Sequence, residues 1–510
     1  MALKFKYGDL MPTYNFSNNL KQDFKPYSEM HIADSVFKAI DDIFSRHQKR
    51  LTSNSIRDGD ISATAYELKD AIESELNIDL TGNYFGRDLA HPIMLAPGKH
   101  SRVGPKDEPL RIVKFRVAEG FSGIILKTAI ANDQKGTCSM IKNRGDAYSP
   151  SFKRVSRDMF LSGERGAKLD IRGYCENFLQ PLLSQFNHGE VVIVPSILSG
   201  LPLKENEGEW RNSFNHLLQK THTTEIDFSP TAFQSIRELE QEIGEIFRWL
   251  EKRYPDKIGI LKIPGHFRNI MGTWIRAVRD KNNFKGIQRY VLFNREIFKL
   301  LIPWNLARVT TSIGGDAIFY SNMKVLQQLW ESEPHGMIDN VSISYSGGVN
   351  NGIKAATAIG LSNAGSVQIA TELINEGGLK ALHRVLGGLA VYLHWIGNYL
   401  DKKVGIDVYS INALKELFYR TEIKDITKGY IGEPQKTYAY VDPDICDGNC
   451  YVKNPARDNN FCPASIVCPS YAFRYPVEGT AQTINNNLCI GCENCRENCI
   501  RNAITMKKWT

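Results

Sequence analysis

The sequence predicts an α/β protein built on a (β/α)₈ barrel, with a helical leader before the barrel and a small α+β cysteine-rich domain after it. Three observations carry this prediction. Short apolar runs alternate with amphipathic stretches from residue 84 to residue 400, the first 83 residues are polar and helical in pattern, and eight of the ten cysteines fall between Cys446 and Cys499. At ~150 residues per domain, 510 residues accommodate about three domains. The composition shifts place them at 1–83 (helical leader), 84–400 (barrel), 401–437 (helical linker) and 438–510 (cysteine-rich domain).

Taken in order, the leader contains a capping-box pattern, Thr64-Ala-Tyr-Glu67, that predicts a helix with Ala65, Leu68, Ala71, Ile72 and Leu76 on one face. Eight strand-like runs follow: Pro92–Ala96, Gly123–Thr128, Val191–Ser196, Thr224–Ser229, Ile258–Ile263, Arg289–Asn294, Asn340–Tyr345 and Ser366–Thr371. Near-continuous apolar strands separated by helices mean a parallel sheet covered on both faces. Eight of them favour a closed barrel. The alternative is an open doubly wound sheet, but no Gly-x-Gly-x-x-Gly opens a helix after any of the runs. From Leu379 to Leu400 the residues Leu382, Leu386, Leu389, Ala390, Leu393 and Ile396 recur at helical spacing and predict a buried helix.

The charge balance, 63 basic against 56 acidic residues and a net +7, has no dominant basic block, so nucleic acid is not an expected partner. The opening MALKFKYGDL interrupts any apolar signal core with charge, and the apolar run Gly387–Leu400 is broken by His394 and Asn398. Neither an export signal nor a membrane span is expected. Thiols clustered at one end suggest cofactor ligation in a reducing compartment, which makes the cytoplasm the expected location.

The tail contains Cys489-Ile-Gly-Cys492-Glu-Asn-Cys495-Arg-Glu-Asn-Cys499, the C-x₂-C-x₂-C-x₃-C run that binds a [4Fe–4S] cluster in bacterial ferredoxins. The same thiols could serve a structural zinc site or two disulfides, although zinc usually separates two C-x₂-C pairs by a longer loop. Upstream, Cys446, Cys450, Cys462 and Cys468-Pro469 supply the same number of thiols at stretched spacings, and the two sets end alike, in Cys468-Pro-Ser-Tyr-Ala472 and Cys499-Ile-Arg-Asn-Ala503. The tail resembles a two-cluster bacterial ferredoxin domain over residues 438–508. By that resemblance Cys446, Cys450, Cys462 and Cys499 hold one [4Fe–4S] cluster, while Cys468, Cys489, Cys492 and Cys495 hold the other.

In barrel enzymes the chemistry sits at the C-terminal ends of the strands, and phosphate binds after the seventh and eighth. Here those positions are Ser346-Gly347-Gly348 and Ala370-Thr371. Glycines let backbone N–H groups approach an anion, and Thr371 adds a hydroxyl. Lys127 and Lys262 end otherwise apolar strands, where a lysine at the barrel mouth calls for an anionic partner. Snorkelling surface lysines are the plain alternative, made less attractive by Ile124-Ile125-Leu126 and Ile260-Leu261.

These pieces resemble the dihydroorotate dehydrogenase family and the pyrimidine-reducing barrel of dihydropyrimidine dehydrogenase. The matching text is Gly86–Gly98, Gly120–Thr128, Glu225–Thr231, Leu261–Pro264, Gly314-Gly315, Ser346–Val349 and Gln368–Thr371, in the family order over about residues 80–380. The resemblance implies FMN in the barrel, with Lys127 and Lys262 reaching the isoalloxazine, Gly347, Gly348, Ala370 and Thr371 holding its phosphate, and Ala96–Gly98 lining it. It also places the acid/base group after the fourth strand, where Ser229 is the first candidate and Asp227 the second, with Asn294 as a substrate amide contact. The plain reading of that loop has Ser229 capping the next helix and Asp227 solvated; Cys138 is the next candidate. The loop Asp227-Phe-Ser-Pro-Thr231 is one residue short and has Asp where the family has Asn, and Gly163–Lys168 replaces an Asn-rich loop, so orotate is not the expected substrate.

The implied activity is oxidoreduction of a CH–CH group in an unsaturated, cyclic, pyrimidine-like small molecule. Two [4Fe–4S] clusters would relay electrons to or from an external carrier, a ferredoxin or a separate reductase subunit, and a homo-oligomer is compatible with the sequence. The alternative is an electron-transfer or assembly subunit whose barrel is catalytically inactive.

Overall fold

The computed structural model describes residues 14–16, 19–25, 30–52, 61, 63–97, 108–126, 129–130, 152–156, 159–162, 171–186, 191–199, 207–228, 236–262, 289–292, 296–301, 308–314, 318–319, 322–323, 342–370, 377–419, 437–448, 452–453, 460–466, 472–474, 480–486, 489, 494–497 and 499–508. Its centre is a nearly closed parallel barrel of nine strands, compatible with a TIM-like fold, and a tenth strand of the same sheet, the two-residue Ala129–Ile130, pairs in parallel with Ser196–Ser199. The strands are β1 (Ile93–Leu95), β2 (Gly123–Ile125), β3 (Val192–Val194), β4 (Ser196–Ser199), β5 (Thr223–Phe228), β6 (Ile258–Lys262), β7 (Arg289–Leu292), β8 (Ser342–Ser346) and β9 (Ala364–Ile369). Each pairs in parallel with its neighbour from β1 to β3 and from β4 to β9, and β9 returns to β1.

Each of the eight predicted runs forms strand, and the count of nine arises at one residue. Pro195 has no N–H to donate to a ladder, so the third run splits into β3 and β4. Its carbonyl still accepts from the Glu225 N–H at 2.9 Å, which keeps this side of the barrel tied.

A hairpin, Gly82–Tyr84 with Arg87–Leu89, precedes the barrel. Phe85 (φ +52°) and Gly86 (φ +90°) form its two-residue turn, in which both central positions need positive φ. For Phe85 that conformation is unfavourable, and burial against Tyr84, ring centroids 4.5 Å apart, holds it. The hairpin packs on barrel residues including Met94, Ile125, Val194, Ile260 and Val291.

The leader supplies α1 (Asp34–Thr52) and α2 (Thr64–Leu76). The capping box is not formed. Helix α2 starts one residue early, with Ala63 at the N-cap; Thr64 donates instead to the Ile61 and Val117 carbonyls, and Glu67 is drawn away to an ion pair with Arg50. Ala71 is exposed, whereas Ala65, Leu68, Ile72 and Leu76 are buried as their spacing predicts. The predicted 379–400 helix is helical throughout but not uniform: Gly378–Leu382 runs through a wider π-turn at His383–Gly387 into α4 (Gly388–Val404). Helix α3 (Gly352–Ser362) crosses α4 so closely that a Cβ on Gly352 would lie 1.9 Å from the Gly388 carbonyl carbon. The polar breaks become ties: His394 Nδ1 meets the Leu76 carbonyl at 2.9 Å, and Asn398 accepts from Tyr409 at 3.2 Å. Among the described residues no helix is long and apolar enough to cross a membrane.

The chain forms two compact units. Residues 1–137, 165–294 and 325–431 make one, which holds the leader and the barrel; residues 138–164, 295–324 and 432–510 make the other. In the second unit, Phe152–Ser156, Met159–Ser162, Glu296–Leu301 and Arg308–Gly314 form an antiparallel sheet that periodicity did not predict. Its strands come from the segments that follow β2 and β7 in the chain.

Candidate functional site

Inside the barrel, four strands and the hairpin contribute side chains to one buried polar network. Lys262, the last residue of β6, is 1% exposed. Its Nζ donates to Gln368 Oε1 on β9 at 3.2 Å and to Glu225 Oε2 on β5 at 3.3 Å. Glu225 Oε1 accepts from Tyr84 Oη at 2.9 Å and from Gln368 Nε2 at 2.5 Å. Gln368 Nε2 also reaches Ser344 Oγ on β8, 3.4 Å away, and Ser366 Oγ donates to Ser344 Oγ at 2.8 Å. Burial, reinforced by the adjacent Glu225 carboxylate, pushes the Tyr84 hydroxyl well above its ordinary pKa, so it remains an O–H donor.

Register explains the convergence. Glu225 pairs with Ile260, two residues before Lys262, so the alternation of strand side chains brings both charged groups to one face. Ser344 pairs with Ser366 and Ser346 with Gln368, which stacks the polar residues of β8 and β9 in the same way. Neither charge could be buried here alone.

The hydrogen-bonding capacity is not exhausted. An ammonium has three donors; two of those of Lys262 are used, and the third has no acceptor among the described residues. Glu225 accepts through both carboxylate oxygens, and Gln368 both donates and accepts within the network. The network can therefore offer one positively charged donor at the C-terminal end of a barrel strand to a ligand.

The predicted anion loop is adjacent in register. Gly347 and Gly348 follow Ser346 directly, and both adopt positive φ, +114° and +80°, which favours glycine. The Gly347 carbonyl is held by Tyr345 Oη at 2.9 Å, and Asn351 caps α3 by accepting from the Lys354 N–H. Ala370 is half-buried at the end of β9, and the Ala96 N–H donates to the Ile369 carbonyl at 3.0 Å, bringing the predicted lining of β1 alongside. Asp227 pairs through its backbone with Lys262. Gly98, Lys127, Thr371, Ser229, Asn294 and Cys138 lie outside the described residues.

In the tail, two segments repeat one another. Thr437–Val441 pairs antiparallel with Ile504–Lys508, and Phe473–Arg474 with Thr483–Ile484. The Asp442 N–H donates to the Ala503 carbonyl (2.8 Å) and the Cys446 N–H to the Asp442 carbonyl (2.9 Å). In the other half, the Asn485 N–H donates to the Ala472 carbonyl (2.6 Å) and the Cys489 N–H to the Asn485 carbonyl (3.1 Å). Short helices, Pro463–Ile466 and Asn494–Glu497, each end two residues before the last cysteine of their set. Cys446, Cys462, Cys489 and Cys495 are buried in one core, with Cys499 packed against it. Backbone N–H groups of Ala439 and Ala503 point at Cys489 Sγ (3.4 Å) and Cys499 Sγ (3.3 Å). Cys450, Cys468 and Cys492 lie outside the described residues, among which no group of three ligating side chains is close enough to hold a metal ion.

Sequence reasoning overlooked Tyr84, Glu225, Gln368 and Ser344. The signal was present: a glutamate within Thr-Glu-Ile-Asp-Phe and a glutamine within Ser-Val-Gln-Ile-Ala interrupt strands buried on both faces, where a polar residue needs a partner. Compared with known proteins, the chain matches no family model, and no curated protein matches it significantly.

Proposed function

We propose that the chain is an iron–sulfur flavoprotein oxidoreductase acting on a CH–CH bond of an unsaturated, cyclic, pyrimidine-like substrate. The observation that carries this reading is the Lys262 ammonium, held by Glu225 and Gln368 with a third donor that has no acceptor among the described residues, while the glycine pair at 347–348 directly follows Ser346, the register partner of Gln368. The residues fit FMN in donor chemistry. Lys262 offers a charged donor to the electron-rich edge of the ring, and the positive-φ glycines leave room for a phosphate near backbone N–H groups. Bound FMN supplies hydride exchange with the substrate and the conversion to single-electron transfer.

The chain's own residues do the rest. Lys262 and, by family resemblance, Lys127 orient the ring; Ala96, Gly98, Ala370 and Thr371 complete its cradle. Ser229 or Asp227 exchanges the proton that accompanies hydride transfer, and Asn294 holds a substrate amide. The eight tail cysteines hold two [4Fe–4S] clusters that pass electrons to or from a ferredoxin or a separate reductase subunit. Support for the pair comes from the matched hydrogen bonds around Cys446 and Cys489 and from the N–H donors to sulfur, which stabilise thiolates.

The test is cofactor content. Anaerobically purified protein, denatured, should release FMN, with iron at about eight per chain for two cubanes. FAD alone, or no flavin after attempted reconstitution, overturns the flavin assignment.

A further inference from the structure

We propose that Glu225 is a positioning residue that sets the redox potential of the flavin by partly neutralising Lys262. The inference rests on the proposed function, in that it takes the Lys262 ammonium to face the cofactor. It goes further in giving a carboxylate that does not itself touch the cofactor control over the cofactor's electronics.

The physical basis is a balance of charge inside a water-free site. Reduction adds negative charge to a flavin ring, and a positive charge at that ring favours the reduced form. An ammonium with a carboxylate 3.3 Å away delivers only part of its field, because the two charges form a dipole. Both groups are buried, with Lys262 at 1% and Glu225 at 0% exposure, so water does not screen either. How strongly Glu225 attracts Lys262 depends in turn on the other donors to its oxygens. Tyr84 and Gln368 both donate to Oε1 and draw charge from the carboxylate. Tyr84, brought in by the hairpin before the barrel, has no hydrogen bond to Lys262, so its influence passes through Glu225 alone.

Two substitutions then act in opposite directions. Glu225→Gln removes the compensating charge, exposes the flavin to the full ammonium and raises the midpoint potential. Tyr84→Phe removes a donor from the carboxylate, strengthens its hold on Lys262 and lowers the potential by a smaller amount. Tyr84→Phe also keeps the ring packed against Phe85 and leaves the ion pair intact, so it reports even where Glu225→Gln fails to fold.

The experiment is an anaerobic, dye-referenced redox titration of the full chain loaded with FMN, followed at the visible flavin band. The expected result for Glu225→Gln is a shift of the reduced-to-oxidised ratio by about tenfold or more toward reduced, which is about 30 mV upward for a two-electron couple. Tyr84→Phe should shift downward. Bound FMN with an unchanged potential in Tyr84→Phe, or with an unchanged or lowered one in Glu225→Gln, overturns this role while leaving the flavin reading standing. A wild-type chain that takes up no FMN overturns both.

Discussion

Taking an ammonium and a carboxylate out of water costs several kcal/mol per ion, and an apolar pair of the same volume commonly serves stability as well or better. The Glu225–Lys262 pair therefore adds little to the fold; what it provides is an ammonium held at fixed coordinates, with one donor that has no acceptor among the described residues. The proton donor is a separate matter. On the proposed reading it lies at Asp227, near the end of β5 and paired with Lys262, or in the residues that follow that strand. Hydride transfer to one carbon of a conjugated bond leaves charge that a positioned hydroxyl or carboxyl must quench. Ser229→Ala and Asp227→Asn should each retain FMN, while the donor's variant slows substrate-dependent flavin turnover by ~10²-fold or more. Wild-type rates in both variants remove this segment from the mechanism. Lys262 and the glycine pair stood out in the sequence because a charge or a double glycine interrupts an apolar strand pattern. Glu225 and Gln368 interrupt their strands in the same way, but no single-strand pattern reports that they lie together with Lys262.

At the scale of elements, the eight apolar runs identified the barrel because strands covered on both faces leave a signal that needs no partner to interpret. Local hydrogen bonding was less legible: Thr64 had the right neighbours for a capping box, but the Val117 carbonyl competes for its hydroxyl and Arg50 for Glu67. The antiparallel sheet was hidden for a related reason, since its two local hairpins join only through the pairing of Met159–Ser162 with Arg308–Gly314, segments far apart in the chain. Buried histidines tie several of these elements together. His91 accepts from the Ile93 N–H through Nδ1 (3.3 Å) and meets the Gly120 carbonyl through Nε2 (2.8 Å), so its neutral form is fully engaged. Burial lowers both His91 and His47 from 6.5 to about 4. Between those values the unfolded chain binds protons that the folded chain refuses, so stability is full above pH 6.5 and falls as pH drops toward 4. The loss approaches roughly 3 kcal/mol for each histidine across the full window. Glu119 is raised by burial and works in the opposite sense, so the histidine contribution is isolated by comparing wild type with His91→Gln. Urea midpoints measured at pH 7 and pH 5 should fall for wild type and fall less for the variant; equal slopes in the two proteins overturn the assignment.

At the scale of the whole molecule, the two units differ in what holds them together. The barrel unit buries large apolar side chains such as Phe44, Phe121, Phe178, Phe214 and Tyr392, and its core needs no cofactor to account for it. The described core of the tail is different in kind: Ala439, Val441, Ala464, Ala472, Ala503 and Ile504, together with thiols. Alanines remove little apolar area from water, and Phe473–Arg474 and Thr483–Ile484 are strands of only two residues each. On the proposed reading, bound metal cross-links this small core through its thiols and contributes to its stability. Removing iron with a chelator and a mild oxidant should therefore make the amides of Thr437–Val441 and Ile504–Lys508 exchange rapidly with solvent deuterium. Those of Gly388–Val404 should remain protected. Retained protection in the two tail strands after complete iron loss would show that the small core suffices by itself, and would remove folding by metal from the account of this chain.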